Sequence, residues 1–244
     1  MPFLFLSPST QEFNPYVTTG NEEYWMNLLA DEMTPYLLAS GVNVTRNDPN
    51  ANAAAAIRAS NAGSYDFHLA LHSNASGVGN EGGTRGIDVY YYPTSRDGLR
   101  MANLLVDALK PVYPLPDRVR ALPTTSIGEV RRTTAPAVLA ELGYHDNPQD
   151  AVWIEENLPA TAQAIALAVT QYFGLPFLTP TPVRDGTMQE NAALRAYPEP
   201  DAPVYRSVPE GAAVRVLGDY DAWYTAEYGG TIGFLPQRAV ALSA

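Results

Sequence analysis

Two of the three histidines in this 244-residue chain stand four residues apart in "HLALHSNAS", residues 68–76. Imidazoles serve as metal ligands and as general acids or bases, so the spacing matters. The run is strand-like, and alternation puts Asp66, His68, Ala70 and His72 on one face. At ~3.3 Å per residue the two histidines are about 13 Å apart, too far to share one metal with ~2 Å bonds. His72 ends the strand beside the loop "SNASGVGNEGGTR" and is the functional candidate. His68 lies deeper and is expected to be packed and hydrogen-bonded. Two carboxylates belong with His72. Glu22 opens the helix of "TTGNEEYWMNLL", where Asn21 can cap. An acidic residue is favoured there by the helix dipole alone, but this helix follows the first strand and starts on His72's edge. Glu141 closes the apolar strand "APAVLAEL", where an unpaired carboxylate is costly. His145 follows in "GYHDN", where it either reaches the site or helps cap the next helix with Asp146 and Asn147.

These residues need a scaffold, and the pattern supplies one. Short β-rich runs at "FLFLS", "VNVTR", "YDFHLALH", "GIDVYYY", "RVRALP" and "APAVLAELGY" alternate with helical runs. The helices are expected near 22–41, kinked at Pro35, then near 52–63 and 94–110, and as one long helix over 148–173. Such alternation predicts an α/β domain over 1–175, with a mostly parallel sheet flanked by helices. In sheets of this kind the functional edge lies at the strands' carboxyl ends. A proline-rich linker is expected over 176–185 and a small all-β barrel over 186–244. Tyr197, Trp223, Tyr224, Tyr228 and Phe234 could line a groove on that barrel, though core packing is expected for most of them.

Composition narrows the chemistry. There are no cysteines, so thiolate metal sites and disulfides are excluded. Net charge is −11 with a single lysine, Lys110, which disfavours nucleic-acid binding through phosphates. No apolar run approaches the ~20 residues of a membrane span. "MPFLFLSPST" reads as a first strand and not as a signal peptide.

In order along the chain, "NEEYWMNLLAD", "VTRND", "AIRASNAGSYDFHLALHSNAS", "RGIDVYYY" and "VRRTTAPAVLAELGYHDNPQDA" resemble the zinc-dependent N-acetylmuramoyl-L-alanine amidases of the Amidase_3 family, over roughly residues 3–173. The C-terminal segment resembles bacterial SH3 domains. The resemblance implies a peptidoglycan hydrolase acting on muropeptides at the bacterial cell wall, secreted or released by lysis. The bond would be the amide between N-acetylmuramic acid and L-alanine of the stem peptide. It implies Zn2+ on Glu22 (or Glu23) and His72, with Glu141 as the catalytic glutamate and Arg131 beside it. The family's first zinc histidine is missing from "LSPSTQEFNPY", where Thr10 stands at the expected position. His145 is the candidate replacement, with Gln11 or Glu12 behind it. Two rival readings remain on this scaffold: a non-catalytic peptidoglycan-binding protein, and a metallopeptidase of the stem peptide.

Overall fold

The computed structural model describes residues 2–243. The first part of the chain contributes six strands: β1 (Phe3–Pro8), β2 (Asn43–Arg46), β3 (Phe67–Asn74), β4 (Ile87–Tyr91), β5 (Val119–Pro123) and β6 (Ala137–Tyr144). They form one sheet in the order β2-β1-β3-β6-β4-β5. All neighbours pair in parallel except β4 with β6, so the expected mostly parallel sheet is present.

Two helical layers cover the sheet. Phe67, Leu69 and Leu71 point into the main core, beneath α1 (Glu22–Ala39), α3 (Arg96–Leu109) and α6 (Leu158–Phe173). α1 supplies Met26, Leu29, Ala30, Met33 and Leu37 at helical spacing. It runs on through Pro35, whose missing N–H would have met the carbonyl of the exposed Asp31. The opposite face holds His68, Ala70 and His72. There Ala70, Val130 and Leu139 form a small apolar cluster under α2 (Ala53–Ala62) and α4 (Gly128–Arg131).

The helix expected over 148–173 is two helices, α5 (Pro148–Glu156) and α6, broken at Asn157. Pro159, in the first turn of α6, has no N–H to donate to the Glu155 carbonyl in α5, and its ring crowds that carbonyl.

The chain ends in seven further strands: β7 (Arg184–Met188), β8 (Ala192–Arg195), β9 (Val204–Val208), β10 (Ala213–Tyr220), β11 (Trp223–Tyr228), β12 (Thr231–Pro236) and β13 (Val240–Leu242). They make an antiparallel sheet in the order β13-β7-β10-β11-β12-β8-β9. The residues before it are docked: Phe177 stacks on Tyr36 at 5.7 Å, and the Leu178 N–H donates to Ser40 Oγ. Strand β12 touches both cores, because alternation sends Phe234 to the main core and Leu235 to the C-terminal one. Phe234 lies over Gly41, where a Cβ would come within 2.9 Å of the ring and where φ is +92°. Asn43 completes the junction by accepting from Ile232 N–H at 3.1 Å and donating to its carbonyl. Of the five aromatics considered as groove residues, Phe234 is fully buried, Trp223 packs on the main core, and Tyr224 and Tyr228 pack on the C-terminal one. Tyr197 is exposed. Among the described residues no helix is long and apolar enough to cross a membrane.

Candidate active site

At the carboxyl end of β3 the His72 ring is buried between two carboxylates. Its Nδ1 lies 2.7 Å from Glu22 Oε1, and its Nε2 lies 3.3 Å from Glu129 Oε2. Glu22 gets there as the first residue of α1. Asn21 caps that helix by accepting from the Tyr24 N–H, which fixes the helix start at the sheet edge. The other Glu22 oxygen accepts from Asn14 at 2.7 Å. Burial opposes ionisation of Glu22, but the hydrogen bond and charge of His72 outweigh it and hold the carboxyl below its usual value. Burial likewise pushes His72 down, yet its bonds to Glu129 and Glu22 prevail and raise it to about 10.

Glu129 was not anticipated. It sits on the four-residue helix α4, only 4% exposed, and one of its oxygens is 3.3 Å from His72. The other oxygen accepts from Ser7 Oγ at 2.6 Å and lies 3.2 Å from His68 Nε2. Burial raises its pKa, but the hydrogen bonds from His68 and His72 bring it down to about 2. His68 is packed and bonded as expected, stacked on Phe5 at 5.2 Å with Nδ1 3.0 Å from Ser60 Oγ. The two histidines of the opening motif do meet, at this carboxylate.

Glu141 is in register with His72 across the β3–β6 pair, so both side chains leave the same face. It is half-buried, and its Oε2 has no hydrogen-bond partner among the described residues. Burial raises its pKa to about 7, with Glu22, Asp88 and Glu129 adding to the effect and His72 opposing it. A carboxyl poised there, with a free oxygen, suits proton transfer near neutral pH.

His145 goes elsewhere. β6 has one extra residue opposite β3, since His72 pairs with Glu141 but Asn74 pairs with Tyr144. The bulge centres on Gly143, with φ of +93°. It reverses the alternation, so Tyr144 shares the face of Glu141 while His145 joins Ser73 on the other. There its Nδ1 lies 3.0 Å from the Ser73 carbonyl and its ring stacks on Tyr16 at 5.5 Å. Among the described residues it has no hydrogen bond to His72 or Glu22. Capping of α5 is done by Asn147, which accepts from Gln149 and Asp150 N–H groups.

Gln11 approaches instead. Its side-chain amide is 3.2 Å from His72 Nδ1 and 3.5 Å from Glu22 Oε1. Thr10 and Gln11 line a cleft of about 290 Å3 together with Ser7, Asn47, His72 and Glu129. Glu12 and Glu23 make no hydrogen bond to His72 among the described residues, and Glu23 accepts from Asn27. Arg131 ends α4 with an exposed side chain. No group of three or more His, Cys, Asp or Glu side chains among the described residues is arranged to hold a metal ion.

The sequence matches the Amidase_3 family, described as N-acetylmuramoyl-L-alanine amidase, over residues 13–171. No curated protein is significantly similar to it. Several solved structures share the fold. N-acetylmuramoyl-L-alanine amidase AmiC2 of Nostoc punctiforme is 17% identical with a TM-score of 0.62, over 71% of this chain and 97% of that one. The catalytic domain of CwlV from Bacillus (Paenibacillus) polymyxa is 18% identical with a TM-score of 0.61, over 72% and 100%. The catalytic domain of the CD27L endolysin targeting Clostridia Difficile is 21% identical with a TM-score of 0.58, over 70% and 97%.

Proposed function

Because the chain belongs to the Amidase_3 family of N-acetylmuramoyl-L-alanine amidases, we propose that its site hydrolyses the amide joining the lactyl group of N-acetylmuramic acid to L-alanine of the stem peptide. The observation that carries this reading is Glu141, an unpartnered carboxyl with a pKa of about 7, in register with His72. Glu141 takes the proton of the attacking water and returns it to the leaving L-alanine amine. The cleft beside His72 admits the substrate, and the exposed Arg131 guanidinium meets a substrate carboxylate.

Three groups fit a metal: Glu22 Oε1, His72 Nδ1 and the Gln11 amide. They lie 2.7–3.5 Å from one another, and tetrahedral zinc spaces its ligands about 3.3 Å apart. To present its oxygen to the same point the Gln11 amide would have to turn over, giving up the hydrogen bond that this oxygen accepts from Asn14 at 3.2 Å. We assign these three as the residues that would hold Zn2+, with Gln11 in the role that sequence reading gave first to His145. Zinc held there supplies a Lewis acid that acidifies water and polarises the amide carbonyl. A neutral carboxamide is a weaker donor than imidazole, and zinc must displace the proton His72 holds at Nδ1, so binding is weak and strengthens as pH rises. Gln11→His replaces the carboxamide with an imidazole. Calorimetric titration with zinc at about pH 7.5 is expected to show affinity increased by more than ~100-fold, the effect of a direct ligand. Unchanged affinity removes Gln11 from the ligand set.

The C-terminal antiparallel sheet fits a bacterial SH3-like module that holds the enzyme on the cell wall, where its substrate is. The bond is tested by digesting purified muropeptides and analysing the fragments. A free lactyl carboxyl on the sugar, together with a new L-alanine amine, is expected. Cleavage within the stem peptide instead makes this a metallopeptidase and overturns the reading.

A further inference from the structure

We propose that Glu129 is the positioning residue of this site: its one carboxylate holds the Nε2 of both His68 and His72, and so fixes the ring that faces Glu22 and Gln11. The role in hydrolysis rests on the amidase reading above, whereas the role in holding the ring does not.

The geometry is that of a shared acceptor. Glu129 Oε1 receives Ser7 Oγ at 2.6 Å and His68 Nε2 at 3.2 Å, and Oε2 receives His72 Nε2 at 3.3 Å. A carboxylate only accepts, so both imidazoles donate from Nε2. The far nitrogen of His68 lies within hydrogen-bond distance of the Ser60 hydroxyl, 3.0 Å away. The result is a buried chain, Ser60–His68–Glu129–His72–Glu22, running from α2 through α4 to the first turn of α1. Each link fixes the next. Ser60 and Phe5 immobilise His68, and His68 with Ser7 immobilises the carboxylate. The carboxylate leaves His72 one orientation, with Nδ1 towards Glu22. Without Glu129 the ring could turn about its Cβ–Cγ bond and lose that nitrogen from the site. A carboxylate on the outer nitrogen also raises the basicity of the inner one.

The histidine count makes a direct measurement practical, because only His68, His72 and His145 contribute ring signals. Long-range 1H–15N correlation on 15N-histidine-labelled protein at neutral pH is expected to show a proton on Nε2 of both His68 and His72. An unprotonated Nε2 on either ring overturns the shared-acceptor assignment without any variant being made. Glu129→Gln keeps the volume and one acceptor but removes the charge. The Nε2 signals of His68 and His72 should move together while those of His145 stay in place. In the same variant zinc affinity should fall ~10–100-fold, as should kcat on muropeptides, with KM within about twofold. Loss of thermal stability alone, with kcat and zinc affinity unchanged, makes Glu129 structural and overturns the proposal. If the parent hydrolyses no muropeptide, the amidase reading fails, and the ring signals and zinc affinity still decide the role of Glu129.

Discussion

Replacing Glu141 by Gln should abolish most hydrolysis and at the same time stabilise the protein at alkaline pH. The substitution preserves shape and removes the unpartnered carboxylate oxygen on the face of His72. Loss of a general base typically costs ~10²–10⁴-fold, so kcat on muropeptides should fall by at least ~100-fold. The stability effect has the opposite sign. The carboxyl ionises at about 7 in the folded protein against an ordinary value of 4.5, so the folded state holds its proton longer than the unfolded one. A carboxyl raised in this way makes no difference below pH 4.5. It destabilises increasingly between 4.5 and about 7, and fully above that. At about 1.4 kcal/mol per pH unit the penalty reaches up to about 3 kcal/mol, and the Glu141→Gln variant would not carry it. Urea denaturation of parent and variant at about pH 4 and about pH 8, on either side of the titration, measures it. Near-parental hydrolysis removes Glu141 from the mechanism. A variant that gains no stability over the parent on going from the acid to the alkaline condition shows that burial does not strain this carboxyl.

The second large effect is expected far from the chemistry. Phe234 comes from the C-terminal sheet yet is fully buried in the core of the first domain, against Gly41. Phe234→Ala should cost about 3–5 kcal/mol, the usual range for an aromatic deleted from a core. The wall of the resulting cavity is built from both parts of the chain, so it cannot collapse by movement within one of them. Chemical denaturation followed by tryptophan fluorescence suits the test, since Trp25 and Trp223 pack against this core. A loss under about 1 kcal/mol, far below the range for a buried aromatic, would mean that the two parts are joined only by the chain. With the predicted loss, the C-terminal sheet contributes stability to the catalytic part as well as any binding it does.

Where several candidate site residues lie was legible in the sequence, because local rules were sufficient there. Strand alternation put His68 and His72 on one face, capping by Asn21 started a helix at Glu22, and the apolar run before Glu141 made it a core-strand carboxylate at the same edge. Those signals are short-range and periodic, and the mostly parallel sheet follows from the same alternation of strands and helices. Three features needed the tertiary structure. Glu129 sits in "GEVR", a four-residue helix too short to show a period; only packing of α4 over β3 drives it between two histidines. His145 was the candidate as the remaining histidine, in the loop that leaves the Glu141 strand, but the extra residue at Gly143 reverses the side-chain alternation and puts the imidazole on the opposite face. Gln11 reaches His72 because a loop after β1 folds back across the edge of β3, a contact 61 residues apart in sequence. In each case the deciding interaction is long-range, so it depends on how elements pack and not on the residues that neighbour it along the chain.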